Sequence, residues 1–161
     1  MRRLRGALAL AIAAAALAWA ADLYRTLGLY FLPEQFLAAV LGAGLALVFL
    51  HFPARAGASR EAVPWPDLIL SISGITAGSY LAWFYPELVA RQFQLPTDGV
   101  ITAAILYLLA LEGLRRSVGN ALVVILVAFT GYALVGHLVP GALQTREVEL
   151  ARLILYLGVD T

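Results

Sequence analysis

The sequence predicts an all-α, polytopic transmembrane helical protein with its N-terminus in the cytoplasm. Three observations predict it. Hydrophobic residues make up 62% of the 161 positions and charged residues only 13%, whereas soluble domains run at about 45–50% apolar and about 25% charged. The apolar residues fall in long runs, and a spanning helix needs about 20 of them at about 1.5 Å each. Prolines and arginines sit at the ends of these runs, where spans stop and loops begin. A water-soluble domain of this length has too little interior to hide so much apolar surface.

About five spans are expected within a single membrane domain covering 1–161, with four as the alternative. The first occupies residues 4–31, and its part from Leu4 to Tyr24 is already long enough to cross. Arg2, Arg3 and Arg5, an apolar core and Ala18-Trp19-Ala20 also mimic a secretory signal. The run is long for a signal core, so an uncleaved first helix is expected. The second span, 36–52, is closed by Pro53, and the third, 68–85, by Pro86. Gly99 to Leu111 is short for a span. Extending it to 99–116 places Glu112 inside and lets Arg115 and Arg116 snorkel outward. The fifth, 117–139, carries no acidic residue, lysine or arginine and ends at Pro140-Gly141. Gly113 and Gly119 bracket the expected break before it. Residues 140–161 form a tail.

Arginine sets the orientation, since all 11 basic side chains are arginines. With five spans, Arg2, Arg3, Arg5, Arg55, Arg60, Arg115 and Arg116 fall on the cytoplasmic side. Arg25, Arg91, Arg146 and Arg152 fall outside. Between the third and fourth spans, Pro86 to Asp98 mixes Leu88, Val89, Phe93 and Leu95 with polar residues. It suits a short amphipathic helix on the outer face.

Composition also excludes. A net charge of +1 supplies no basic field for nucleic acid. With no cysteine there is no disulfide, thiolate metal site or cysteine nucleophile. His51 and His137 lie far apart and near span ends, a poor start for a metal site. No phosphate loop and no pair of membrane-depth carboxylates stands out, and no catalytic, cofactor-binding or metal residue is assigned. The chain reads as a scaffold or accessory subunit.

Two groups of residues stand out. Glu112, Arg115 and Arg116 have spacings of three and four, which bring both arginines beside the carboxylate on a helix. Together with Gly119 they suit a cytoplasmic turn before the last span; an ionisable group at membrane depth is also a functional suspect. Gly74 and Gly78 form a Gly-x-x-x-Gly spacing, and Ala38, Gly42 and Ala46 a matching stripe of small residues. Such spacing serves packing within the chain or against a partner equally well. Trp19, Trp65 and Trp83, with Tyr24, Tyr30, Tyr80 and Tyr85, sit near span ends as an aromatic belt does.

The stretch Leu111–Leu143, LEGLRRSVGNALVVILVAFTGYALVGHLVPGAL, carries a family pattern. Leu111, Glu112, Arg115, Arg116 and Gly119, then Tyr132-Ala133-Leu134, Gly136 and Pro140-Gly141, resemble a segment of the fused membrane permeases of tripartite ATP-independent periplasmic (TRAP) transporters. The closing residues from Arg152 to Thr161 are similar to the lead into the large transport part of those permeases. Asn120 and Val123 depart from the family, which commonly has Trp and then Pro there.

The resemblance implies the small membrane subunit of a secondary importer in the bacterial inner membrane, a static scaffold for symport. It implies uptake of organic acids or related solutes, delivered by a periplasmic substrate-binding protein and driven by an ion gradient, usually sodium. The large membrane subunit, separate or fused, would hold the sodium and substrate sites; no such residue maps onto this sequence. The chain would be an unfused subunit, a split product or the N-terminal piece of a longer permease. The alternatives are the small membrane subunit of a tripartite tricarboxylate-type transporter, or a stand-alone small membrane enzyme or assembly factor.

Overall fold

The computed structural model describes residues 2–54, 63–139 and 144–159, with side chains from Arg5 onward. Among the described residues all regular structure is helical and no strand occurs, and four helices are long and apolar enough to cross a membrane. The chain divides into two compact units, Met1–Tyr85 and Pro86–Thr161.

In the first unit, α1 spans Arg2–Ala20, the single-turn α2 Leu23–Thr26, and α3 Pro33–His51. The first apolar run does not continue as one helix to residue 31. The Asp22 amide bonds back to the Trp19 carbonyl at 3.0 Å, and Asp22 itself takes φ 52°, a left-handed conformation that ends a helix. The first helix therefore stops at Ala20, well short of residue 31. Trp19 makes up for the early stop: its ring stacks nearly parallel to Tyr24 at 4.3 Å and to Phe36 at 4.4 Å. These stacks tie the corner after α1 to the start of α3, beyond the interfacial role expected of these aromatics. Pro33 opens α3 at its first turn, where a missing N–H is harmless.

The fourth helix, α4, is Trp65–Ala90 and runs straight through Pro86, which the sequence reading places after the end of the span. A proline inside a helix has no N–H to give the carbonyl four residues earlier, here that of Ala82. Gln35 supplies the donor from α3: its Nε2 reaches the Ala82 oxygen at 2.8 Å. The Gln35 Oε1 accepts the Leu32 amide at 3.0 Å, so both ends of the side chain are used. Within this unit Ala46 and Phe49 are fully buried, with Leu50 and Leu81 nearly so.

In the second unit Pro86–Ala90 forms the last turn of α4, and a 3-10 turn at Gln92–Gln94 leads to α5, Thr97–Ser117. No separate amphipathic helix forms between Pro86 and Asp98, because Leu88 is completely buried and anchors the end of α4. A Cβ on Gly99 would stand 3.1 Å from both Leu88 and Leu155. At 21 residues α5 rises about 31 Å, enough to span. The sixth helix, α6, is Asn120–Val135, prolonged by a 3-10 turn to Leu138.

Within the tail, residues 150–159 form a helix, α7 (Leu150–Val159), folded onto α5. Leu155 and Val159 are buried, and Gly158 lies so near Ala103 that a Cβ would meet its Cβ at 2.5 Å. The expected loop cations Arg55 and Arg60 and the expected stop at Pro140-Gly141 lie outside the described residues.

Candidate functional site

The cluster at the end of α5 is built by helix periodicity alone. Glu112 faces Arg115 one turn on, and the Arg115 Nε and Nη2 each donate to a different carboxylate oxygen at 2.7 Å. Arg116 Nε donates to Oε1 at 2.6 Å. The carboxylate is thus gripped by a two-pronged arginine and a second arginine from the same helix. The two cations differ in setting: the Arg115 side chain is 44% exposed, that of Arg116 only 4%. Both also sit in the last turn, where the helix dipole favours positive charge.

The chain then turns within Val118 and Gly119. The Val118 and Gly119 amides both return to the Leu114 carbonyl, at 2.9 and 3.1 Å. Gly119 takes φ 108° and ψ 178°, a region open to glycine and strained for any side chain. Gly113, the other expected bracket, is instead buried inside α5. The structure brings Glu112, Arg115, Arg116 and Gly119 together as one compact turn.

Beyond it, α6 is the least buried candidate span. Only 6% of its apolar stretch is buried, against 33% in each of the other three. Ile125, Val127, Phe129 and Val135 are about half or more exposed. Its polar tie to α5 is a hydrogen bond of 2.8 Å between the Tyr107 and Thr130 hydroxyls. At its end Gly136 lets residue 145 come close: the Thr145 amide donates to the Gly136 carbonyl at 3.2 Å, and a Cβ on Gly136 would sit 2.6 Å from Thr145 Oγ1. His137 accepts at its backbone carbonyl a bond from Gln144 Nε2.

In the first unit Gly42, Gly74 and Gly78 also meet. A Cβ on Gly42 would lie 2.6 Å from the Gly74 carbonyl oxygen, and one on Gly78 would lie 2.6 Å from the Gly42 Cα. The small-residue stripes of α3 and α4 therefore pack on each other, backbone against backbone. His51, at the end of α3, and His137 belong to different units, each at a helix end. Among the described residues no group of three potential metal ligands gathers.

Sequence reasoning passes over Asp67, which is 2% exposed in the first turn of α4. A carboxylate there meets the positive end of the helix dipole. The Trp-Pro-Asp opening of the helix is the signal that could have flagged it.

The chain matches no protein-family model, no curated protein and no solved structure. The fold therefore defines a class and nothing narrower: this is an all-α membrane protein with four helices able to span.

Proposed function

We propose that this chain is the small, scaffold-type membrane subunit of a TRAP-type secondary importer in the bacterial inner membrane. In this reading it performs no chemistry. It broadens the fixed frame against which a large membrane subunit moves its solute and its coupling ion, sodium. A periplasmic binding protein delivers the solute, an organic acid or a relative of one.

The observation that carries the reading is the condition of Leu111–Leu138. The residues of the family resemblance from Leu111 to Gly136 form a charge-clamped turn followed by an apolar helix that the chain itself barely covers. A subunit that works by standing beside a larger one needs such a helix, to be covered by lipid on one side and by protein on the other.

The test is the native mass of the assembly drawn from its own membrane by a tag on Met1. Recovery with a larger multi-span protein, or as part of a longer polypeptide, supports the scaffold reading. Solute uptake coupled to sodium by that assembly supports the TRAP assignment. Recovery of this chain alone or only as a homo-oligomer overturns both.

A further inference from the structure

Helices α1 and α3 run antiparallel. Trp19 lies on Phe36 at one end of the pair, and the first turn of α1 meets the last turn of α3 at the other. At that second end the two helices part around a cavity of about 530 Å³. Its walls are Ala9, Leu47, Val48 and Phe52, with Arg5 and His51 as the polar members. Gly6 also borders it, and no atom lies within 4 Å of where its Cβ would stand.

Arg5 is the unusual residue here. Its Nε and Nη2 are buried, and neither makes a hydrogen bond. These two nitrogens form the side-on fork of the guanidinium, the same fork that in Arg115 is filled by the two oxygens of Glu112. A guanidinium keeps its charge in any protein setting, and a fork closed off from water without an acceptor is costly. The fork fits an oxyanion with two oxygens side by side, a carboxylate or a phosphate.

The surroundings decide between occupants. Apart from Arg5 and His51 the cavity walls are apolar, so a small hydrated anion would gain little along them, whereas an acyl chain would replace water along Ala9, Leu47 and Val48. The cavity lies at the end of α3, one of the four helices able to span, and the end of a span is the level of lipid headgroups. The sequence puts Arg2 and Arg3 beside Arg5, and a basic run of this kind draws anionic lipid.

We propose that the cleft between α1 and α3 is a site for one anionic phospholipid. On binding, the Arg5 side chain turns its buried fork into the cleft and grips two phosphate oxygens, His51 stands beside the headgroup, and one acyl chain follows the apolar wall. This site does not depend on the transporter reading.

The test uses the purified, delipidated full chain in detergent, with binding of phosphatidylglycerol followed by native mass spectrometry. Phosphatidylcholine and inorganic phosphate serve as comparison ligands. One phosphatidylglycerol is expected per chain, held at least tenfold more tightly than phosphatidylcholine and not displaced by millimolar inorganic phosphate. Arg5→Gln should weaken it tenfold or more. Arg5→Lys, which keeps the charge and loses the fork, should weaken it by a smaller factor, and Arg152→Gln should leave it unchanged.

Should Arg5→Gln fail to fold by circular dichroism, Ala9→Phe answers the same question. It retains the arginine and fills the acyl wall, and should also release the lipid. Equal binding by wild type and the folded Arg5→Gln variant, or by wild type and Ala9→Phe, overturns the proposal. Displacement of the lipid by inorganic phosphate overturns it too, and marks the cleft as a site for a free anion.

Discussion

Replacing Gln35 with alanine removes the donor that reaches the Ala82 carbonyl. Pro86 leaves that carbonyl without its helical partner, so the loss exposes a backbone acceptor at membrane depth with nothing to bind. In proteins generally an unsatisfied acceptor costs about 1–3 kcal/mol, while interhelical hydrogen bonds in membranes average about 0.6 and reach about 1.7 kcal/mol. A cost near 1 kcal/mol follows, or roughly 2–4 °C in melting temperature for a chain of this size. The decisive form is a double-mutant cycle with Pro86→Ala, which restores an N–H for Ala82. Gln35 also holds the Leu32 amide, but that bond is lost in both backgrounds and cancels. Thermal melts of the four variants in one detergent, followed by circular dichroism, supply the numbers. Gln35→Ala should cost about 1 kcal/mol less in the Pro86→Ala background. Additivity within about 0.5 kcal/mol would refute the exchange of partners.

Other predictions follow from the same geometry. Gly78→Ala forces a Cβ to 2.6 Å from the Gly42 Cα and should destabilise by about 1–3 kcal/mol, whereas Gly44→Ala, with open space at its Cβ, should be neutral in the same melts. Arg116→Ala should cost more than Arg115→Ala, because the Arg116 side chain is 4% exposed and that of Arg115 44%; equal losses in the same melts would contradict the ranking. Gly119→Ala should cost about 1–3 kcal/mol through backbone strain alone, and Gly119→Asn somewhat less if its φ relaxes toward the left-handed helical region.

The helical class and the position of most spans are legible in the sequence because hydropathy is additive along the chain. The Glu112 cluster is legible for a related reason: three and four residues make one helical turn whatever surrounds it. Pro86 is a different case. The rule that proline closes a helix is sound locally, but the compensating donor sits on another helix and leaves no mark near residue 86. The end of α1 is similar, since Asp22 and the Trp19 stack depend on where α3 begins. Residues 150–159 resist prediction because their burial comes from Ala103 and neighbouring positions of α5. For the glycines of α3 and α4, spacing announces close packing but not against what.

The turn between α5 and α6 also constrains how the chain enters a bilayer. Only Val118 and Gly119 separate the two helices, which leaves no slack for one to cross while the other waits. A turn this short suits entry of the two as a hairpin, with Glu112, Arg115 and Arg116 at its hinge held back by their cost in hydrocarbon. The same three side chains that fasten the turn in the finished protein thus decide which face of the membrane it can never leave.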